Sequence, residues 1–495
     1  MITLVRMKTA VVIGAGIGGL ATAVRLAAKG FRVDVFEKES YPGGKLAELR
    51  SDGFRFDLGP SLFTQPERVE ELFSLMGENP ADHFTYQQLS SVCRYFWPDG
   101  TLLDVPSGPN DFAYACRDVF KVDPSPLSGY LTNARDLYNL AAPVFIDQPF
   151  PTRKAFLSQG GREIAKNPSI LDPFVSLHRR NKRVFKDSRM VQLFDRYATY
   201  NGSNPYKAPA TLKMIAHLEH NLGAFFPDNG MYSIVREITD LAIRAGVRFH
   251  YDSMVQRVNR NIEGNQVLGI RMDGKDYPYD VVVSDLDVNT FYHAGMIDYH
   301  PPGFGRGQAL STSAMIFYWG VAGNHDHLDL HNILFAENYE EEFRHLFKLK
   351  KMYSDPTVYI YISSKKAPSD ALPGHENWFV MVNAPSVTRK DISSEIASAR
   401  EAILKKIKSM LGVDLASKIV FEHVENPQTI EARTGSWQGA LYGNSSNSRI
   451  SAFSRHPNQR SKIKGLYFTG GSVHPGGGIP LCLASAKIVA ELIDQ

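Results

Sequence analysis

The sequence predicts an α/β protein in which a parallel sheet with flanking helices is interrupted by inserted α+β and helical regions. Two stretches carry this prediction. Residues 9–36 combine a short apolar strand, a glycine-rich turn, an apolar helix and a second strand, which is typical of a buried parallel sheet. Residues 465–493 repeat the order of strand, glycine-rich turn and apolar helix at the other end of the chain. No repeat of fixed period occurs between them.

Length and composition limit the class of protein. At 495 residues the chain exceeds one ordinary hydrophobic core, so we expect more than one domain. Its 55 Lys and Arg against 52 Asp and Glu leave a net charge of +3, which disfavours nucleic acid as a partner. The three cysteines (Cys93, Cys116 and Cys482) are too far apart for a zinc motif, and we expect no metal.

Two uncharged stretches, residues 9–24 and 465–486, do not match membrane spans. Both are rich in glycine, and a span needs about 20 mostly apolar helical residues. No signal-peptide cleavage pattern follows the first stretch. We therefore expect a cytoplasmic protein without signal peptide or transmembrane helix, which leaves peripheral association with a membrane open.

The opening stretch predicts a Rossmann-like dinucleotide-binding unit. Its G-x-G-x-x-G turn, Gly14 to Gly19, allows a tight turn and lets the backbone approach a pyrophosphate. The helix after it is predicted from Leu20 to Lys29. Glu37 ends the second strand, where an acid can accept hydrogen bonds from an adenosine ribose. The alternative is a structural glycine turn followed by a surface acid.

The residues after Glu37 favour FAD over NAD. An NAD domain would continue with further βα units, whereas Gly43-Gly44-Lys45 and Gly59-Pro60 mark glycine-rich turns around short alternating stretches. Such turns are expected where the chain wraps a larger cofactor, with Lys45 facing the pyrophosphate. An ordinary hairpin turn at residues 43–44 is the alternative.

Five segments are expected to build the molecule. They are residues 1–66, 237–300 and 431–495, which together form the FAD-binding domain, residues 67–236, a substrate and helical membrane-associating region, and residues 301–430, a substrate domain of antiparallel sheet and helices. Val281 to Ser284 and Leu466 to Thr469 are predicted to add strands to the parallel sheet. The last helix is predicted to begin near Pro480, since proline suits a first turn.

These separated motifs together resemble the carotenoid desaturases of the phytoene desaturase type, within the flavin amine-oxidase superfamily. The opening unit, the Gly59-Pro60 turn and the closing GGSVHPGGGIP carry the resemblance, which covers essentially the whole chain. RYATYNGSNPYKAPATL and LEHNLGAFFPDNGMYSIV also look like internal motifs of that family. Within it, GPSLFTQPERVEELF looks more like desaturases that act on hydroxylated carotenoids at the 3,4 position than like phytoene desaturases.

The resemblance implies a non-covalent FAD. The residues that it implies for cofactor binding are Gly14, Ala15, Gly16, Gly19, Glu37, Lys38, Gly44, Lys45, Pro60, Ser61, Val255, Gly471, Gly478, Ile479 and Pro480. Glu37 is expected at the ribose, Val255 at the adenine, and the last four beside the flavin. Lys45 stands where many members carry Arg, so it keeps the charge without the bidentate fork.

The resemblance further implies a carotenoid substrate drawn from the lipid bilayer, with a hydride passing to flavin N5 and oxygen or a quinone as the final electron acceptor. A base or water takes the neighbouring proton. Candidates for this role are Glu219, His220, Asp147 and Arg153, for each of which a surface or capping role is the alternative. His474 in the closing loop is expected to give structural support.

A basic and apolar segment, residues 173–190, is predicted to face the membrane together with residues 140–150. It places Arg179, Arg180, Lys182, Arg183, Lys186 and Arg189 beside Phe174, Val175, Leu177, Val184 and Phe185. A solvated helix is the alternative.

Other functions share this scaffold. Phytoene desaturation is the nearest alternative. A flavin amine oxidase would need an aromatic cage and often attaches its flavin through cysteine, for which Cys482 is the candidate. A non-enzymatic prenyl or lipid carrier would be expected to lack intact flavin-contact glycines.

Overall fold

The computed structural model describes residues 7–149, 152, 155, 157–301, 304, 309–386, 391–448, 455–459 and 462–493. The strands are β1 (Thr9–Ile13), β2 (Arg32–Phe36), β3 (Glu48–Ser51), β4 (Phe54–Asp57), β5 (Tyr86–Gln88), β6 (Ser91–Phe96), β7 (Leu102–Pro106), β8 (Phe225–Pro227), β9 (Arg248–His250), β10 (Arg257–Arg260), β11 (Val267–Met272), β12 (Lys275–Pro278), β13 (Val281–Ser284), β14 (Ser313–Ala322), β15 (His331–Leu334), β16 (Val358–Tyr361), β17 (His375–Ala384), β18 (Ile419–Glu425) and β19 (Leu466–Phe468).

The helices are α1 (Ile17–Ala28), α2 (Glu67–Leu75), α3 (Pro109–Phe120), α4 (Ser125–Phe145), α5 (Gln159–Lys166), α6 (Leu177–Val184), α7 (Ser188–Asp195), α8 (Ile215–His220), α9 (Ser233–Arg244), α10 (Val288–His293), α11 (Tyr339–Arg344), α12 (Ser393–Leu411), α13 (Pro427–Thr434) and α14 (Ile479–Ile493). In the part of the chain that the structure describes, no helix combines the length and apolarity needed to cross a membrane.

The first sheet is parallel and has the strand order β19-β13-β1-β2-β9. Its strands come from three separated stretches of the chain, and both faces are covered. Helices α1, α9 and α14 pack on one face with α2 at the edge, while the β10–β12 sheet and α10 cover the other. This arrangement confirms the predicted Rossmann-like fold class and explains why the strands are apolar on both sides.

Helix α1 begins earlier than predicted. The sequence placed its start at Leu20, whereas the structure begins the helix at Ile17. The amide of Leu20 donates to the carbonyl of Gly16 at 2.9 Å, so the helical hydrogen-bond pattern already includes the glycines of the turn. The end of the motif is thus the first turn of the helix, whose first N–H groups have no partner within the helix itself.

The second sheet has seven strands in the order β18-β14-β17-β16-β15-β6-β7. Its pairs are antiparallel except β15 with β6, which run parallel. Strands β6 and β7 lie within residues 67–236, so the segment expected to be a substrate and helical membrane-associating region also adds two strands to this sheet. Helices α3, α4, α6 and α7 pack with this sheet in the largest apolar cluster of the molecule.

Candidate functional site

One large cavity, with a volume of about 720 Å³, extends between the two sheets. At one end it is lined by the segments that follow the carboxyl ends of β1, β2, β13 and β19, the edge at which open α/β sheets bind ligands. At the other end it is lined by side chains of α4 and α8 and of one face of the second sheet. The two ends differ sharply in chemistry, since the first is rich in glycine and the second is apolar.

At the glycine-rich end, several turns exclude side chains for a reason that the motif did not predict. Asp285 follows β13, and a Cβ added at Gly16 or Gly18 would lie 2.4 Å or 2.7 Å from its carboxylate oxygens. A Cβ at Gly470 would lie 2.2 Å from the same carboxylate. Gly19 serves the packing role of the motif, because its Cβ would lie 2.2 Å from the carbonyl oxygen of Gly14. Glycine is therefore required at positions 16, 18 and 470 because the Asp285 carboxylate occupies the space that a side chain would need.

Asp285 is a titratable group that the sequence analysis missed. Burial raises the pKa of its carboxyl to about 7, although the amides of Gly19 and Gly16 partly oppose the shift. The signal was present in the sequence, since Asp285 follows a buried apolar strand just as Glu37 does. Two acids, at the ends of the two strands that flank β1, thus border the same cavity.

Glu37 is buried at the end of β2, and its carboxylate is fixed by two backbone amides. One oxygen accepts from Ala15 at 2.8 Å, and the other accepts from Glu39 at 3.0 Å. Because Glu37 is held by the backbone and lines the cavity, its remaining lone pairs are directed by the fold rather than by a flexible side chain.

Two basic residues connect the loops around the glycine-rich end. Lys45 lines the cavity and donates to the carbonyl of Leu441 at 2.5 Å, while burial lowers the pKa of its amine. Arg433 at the end of α13 donates to the carbonyls of Gly44 at 2.8 Å and Leu58 at 3.2 Å. Arg433, which the sequence analysis did not single out, therefore holds the two predicted glycine turns together.

The closing loop forms another wall of the same end. Gly478 has a φ of +108°, and nothing lies within 4 Å of the position that a Cβ would take. Ile479 and Pro480 then begin α14, in agreement with the predicted start near Pro480. Arg455, which was not predicted from the sequence, donates to the carbonyl of Gly471 at 3.3 Å. Burial lowers the pKa of its guanidinium to about 10.

The other end of the cavity is apolar. The second sheet contributes Ile316, Ile333, Phe379 and Met381, and α4 and the residues near α8 contribute Ala141, Phe145, Ile146, Leu212, Met214, Ile215 and Leu218. Leu171 and Pro173 line it beside exposed Ile170 and Phe174, which are 39% and 69% accessible. An elongated apolar molecule is the ligand that such a lining favours.

Comparison with known proteins identifies the family. The sequence profile of the flavin-containing amine oxidoreductases matches residues 17–494 of the chain. The chain belongs to this family. A 1-hydroxycarotenoid 3,4-desaturase from Flavobacterium sp. (strain P99-3) is 43% identical over 99% of both chains. A 4,4'-diaponeurosporene oxygenase from Staphylococcus aureus (strain bovine RF122 / ET3-1) is 30% identical over 98% of both chains.

A cyclohexylamine oxidase from Brevibacterium oxydans IH-35A has the same fold, with a TM-score of 0.61 over 98% of both chains at 15% identity. These findings confirm the predicted resemblance to carotenoid desaturases and the predicted class, a flavin-dependent oxidoreductase. At 15% identity, the solved structure supports the fold alone.

The cavity of this flavin-containing amine oxidoreductase fits a dinucleotide. The first turn of α1 and the start of α14 both border it, Glu37 offers a fixed carboxylate, and Lys45 offers a buried amine. The space beside Gly478 is open. The predicted residues that line the cavity are Gly14, Gly16, Glu37, Lys38, Gly44, Lys45, Pro60, Ser61, Val255, Gly471, Gly478, Ile479 and Pro480. Ala15 and Gly19 lie behind this lining, and each contributes through the backbone, as described above.

Among the four residues predicted for proton transfer, Glu219 lines the cavity. One of its oxygens accepts from Arg196 at 3.2 Å and from Tyr197 at 3.1 Å, and the other accepts from Tyr200. Burial opposes ionisation, but Arg196 and the hydroxyl donors outweigh it and lower the pKa of the Glu219 carboxyl. Glu219 is therefore a carboxylate within a buried polar network.

His220 and Asp147 do not line the cavity. His220 stacks on Phe112 with ring centroids 4.4 Å apart and contacts the Tyr197 hydroxyl, and burial lowers its pKa to about 4. Asp147 forms an ion pair with Arg68 at 2.9 Å. Arg153 lies outside the described residues.

His474 belongs to the closing loop but does not line the cavity. Its Nε2 donates to the carbonyl of Gln148 at 2.9 Å, and burial lowers its pKa to about 4. Its own carbonyl accepts from the side chains of Asn458 and Ser485 at 2.8 Å and 3.0 Å. The geometry is that of a residue that ties the loop to the neighbouring helix.

The predicted membrane-facing segment is partly corrected by the structure. Leu177 and Phe185 belong to the core, and so do not point outward as an amphipathic membrane helix would require. Arg180 pairs with Asp172, and Arg189 pairs with Asp187 at 2.7 Å. The exposed members are Phe174, Arg179, Lys182, Arg183 and Lys186. The alternation in sequence thus arises from one face of α6 packing inward.

Proposed function

We propose that this chain is an FAD-dependent carotenoid desaturase that introduces a C=C bond at the 3,4 position of a 1-hydroxylated carotenoid. The observation that carries the proposal is one cavity that joins a glycine-rich end, at the carboxyl edge of the parallel sheet, to an apolar end. The substrate is supported by the relative named as a 1-hydroxycarotenoid 3,4-desaturase, which is similar along its whole length. A polyene is long and apolar, and so matches the lining around α4 and α8.

The cofactor is proposed to be held without a covalent bond. Glu37 would bind the ribose, Val255 the adenine, and Gly471, Gly478, Ile479 and Pro480 the flavin side. Cys482 lines the cavity, but burial raises the pKa of its thiol to about 12, which disfavours the reactive thiolate. Acid precipitation should therefore leave the flavin in solution, and flavin in the protein pellet would contradict this assignment.

Bound FAD supplies the acceptor for a hydride from the substrate, and oxygen or a quinone is proposed to take the electrons onward. The chain itself is proposed to hold the substrate in the apolar end of the cavity and to align its reacting carbons. Glu219 is better suited to fixing Arg196 and Tyr200 at the cavity wall than to accepting a proton, because a carboxyl with a lowered pKa is a weaker base. Water is then the proposed proton acceptor.

The substrate is proposed to enter from a membrane surface beside residues 170–174. Ile170 and Phe174 are exposed next to the cavity-lining Leu171 and Pro173, and Leu157 is 68% accessible. Arg179, Lys182 and Arg183 are exposed on α6, which begins shortly after Phe174. Exposed apolar groups with basic neighbours suit the headgroup region of a bilayer with anionic lipids.

The test is anaerobic incubation of the flavin-loaded protein with liposomes that contain a 1-hydroxylated carotenoid, phytoene or cyclohexylamine. We expect the flavin absorbance to bleach, and a more conjugated product to form, with the hydroxylated carotenoid. Bleaching by phytoene alone would favour the phytoene desaturase alternative, and bleaching by the amine alone would favour an amine oxidase. A purified protein that binds no flavin would favour the carrier.

A further inference from the structure

A partly buried polar chain of three hydrogen-bonded side chains, Ser61, Tyr359 and His331, crosses the cavity wall near the proposed cofactor end. The Ser61 hydroxyl lies 2.6 Å from the Tyr359 hydroxyl, which lies 2.8 Å from Nδ1 of His331. All three residues line the cavity, and Tyr359 and His331 stand on the neighbouring strands β16 and β15. Tyr359 and His331 thus place polar groups on a face of the second sheet that is otherwise mostly apolar around the cavity.

In this polar chain, Nε2 of His331 has no hydrogen-bond partner among the described residues. His331 is 3% accessible, and within the described residues its Nε2 makes no hydrogen bond. Because Nδ1 is turned toward Tyr359, Nε2 is on the opposite side of a ring that borders the cavity. A buried polar atom without a partner is costly, and at a binding site it marks a place where a ligand group completes the hydrogen bonding.

His331 is neutral in this setting. Burial lowers the pKa of its imidazole to about 4, so one ring nitrogen donates and the other accepts. Arg196, which also lines the cavity, has a buried Nε that is likewise unpaired among the described residues. The neutral imidazole suits a small polar partner that can donate or accept, and the Arg196 Nε–H can donate to an acceptor such as a hydroxyl oxygen.

We propose that His331 Nε2 binds the hydroxyl at the end of the substrate and so selects hydroxylated over unhydroxylated carotenoids. Ser61 and Tyr359 act as positioning residues that fix the ring and its tautomer. This inference rests on the proposed function and names the residue that would read the hydroxyl. An alcohol suits either tautomer of the ring, whereas a hydrocarbon end would leave Nε2 without a partner.

The position of the polar chain in the cavity is consistent with binding a hydroxyl close to the reacting carbons. In a 1-hydroxylated carotenoid the oxygen is on the carbon two bonds from the first reacting carbon, so its binding site must adjoin the site of hydride transfer. Ser61 follows the Gly59-Pro60 turn, and a Cβ at Gly59 would lie 2.0 Å from the carbonyl oxygen of Lys45. The polar chain is therefore anchored to the loops that we assign to the cofactor, at the end where the hydroxyl is required.

The test compares His331→Leu, His331→Asn and the unaltered chain, all loaded with FAD, on a 1-hydroxylated carotenoid and on the same carotenoid without the hydroxyl. We expect His331→Leu to lose at least about tenfold in kcat/KM on the hydroxylated substrate. Its kcat/KM on the deoxy substrate should stay the same or rise. His331→Asn keeps a polar side chain and should retain part of the preference.

Folding is controlled by melting temperature and flavin content, and Tyr359→Phe serves as a second variant. That variant should weaken the preference without abolishing desaturation. Equal loss on both substrates would overturn the proposal, since it would show a purely structural role. An unaltered protein that desaturates both substrates equally would overturn it while leaving the proposed function standing. Desaturation of neither substrate would overturn both.

Discussion

At the residue scale, the glycines of the site divide into two groups with different physical causes. Gly16, Gly18 and Gly470 are required because the Asp285 carboxylate lies where their side chains would be. Gly478 faces open space, and its positive φ is the constraint instead. Substitution of the first group therefore perturbs packing around a buried acid, whereas substitution of Gly478 changes the cavity itself.

Gly478→Val should lose the flavin before it loses the fold. The variant strains the backbone by about 1–3 kcal/mol and fills part of the proposed flavin site. Gly374→Val is the matched control, because Gly374 also has a positive φ and an open environment but does not line the cavity. We expect similar falls in melting temperature for both variants, with loss of bound flavin in Gly478→Val alone. Full flavin content and activity in that variant would show the assignment to be wrong.

The raised pKa of the Asp285 carboxyl predicts that the free energy of unfolding falls as the pH rises from about 4 to about 7. Its folded pKa is about 7, whereas an unfolded Asp titrates near 4. Between these values the folded state holds a proton that the unfolded state has lost. The contribution of Asp285 to stability is thus fully present below about pH 4 and is lost as the pH rises toward about 7.

Asp285→Asn removes this titration and keeps the side-chain shape. Relative to the unaltered protein, the variant should gain unfolding free energy on going from about pH 5 to about pH 8, by a few kcal/mol at most. Urea unfolding of the flavin-free proteins at both pH values measures the difference. A stability difference that does not change with pH would contradict the burial-raised pKa.

At the element scale, the important feature is where the helices begin, because two of them begin at the cavity. Helices α1 and α14 both begin at its glycine-rich end, where their first amides and positive dipole ends favour negative charge. Helix α6 and the residue after it bury Leu177 and Phe185 in the core, so the apolar residues of this segment do not form an exposed face. What remains on its surface is a basic face beside the exposed Phe174.

That basic face gives a prediction for membrane binding. Changing Arg179, Lys182 and Arg183 to Gln together should weaken binding of the protein to anionic vesicles by roughly a hundredfold, because each basic residue near the surface contributes about 1 kcal/mol. Changing Lys275, Lys405 and Lys408 to Gln is the matched control, since these residues are exposed on β12 and α12. Flotation that is unchanged in the first variant would exclude α6 from the membrane contact.

At the scale of the whole molecule, the cavity belongs to both sheets at once. The chain passes between them repeatedly, and the hairpin strand β4 from the opening segment packs Phe54 and Phe56 into the core of the second sheet. A Cβ at Gly320 of β14 would lie 2.5 Å from the Phe54 ring. We therefore expect the two halves to unfold together.

Addition of FAD to the flavin-free protein should raise the midpoint of one single thermal transition. Free FAD at about 1,000 times its dissociation constant adds roughly 4 kcal/mol to the unfolding free energy. Calorimetry of the two forms checks both the shift and the single transition. Two transitions, of which only one moves, would show that the sheets are independent.

The sequence by itself determined the strands of the parallel sheet, the flavin class of the cofactor and the glycine-rich turns at one end of the cavity. These follow from local patterns, since apolar runs, glycine spacing and a strand-ending Glu37 depend on neighbours along the chain. Only the tertiary structure decided which side chains reach the cavity. Glu219 faces it while the adjacent His220 faces Phe112, and His331 borders it from a strand that no motif marks. The physical reason is that side-chain direction is set by packing between distant segments, which local periodicity does not record.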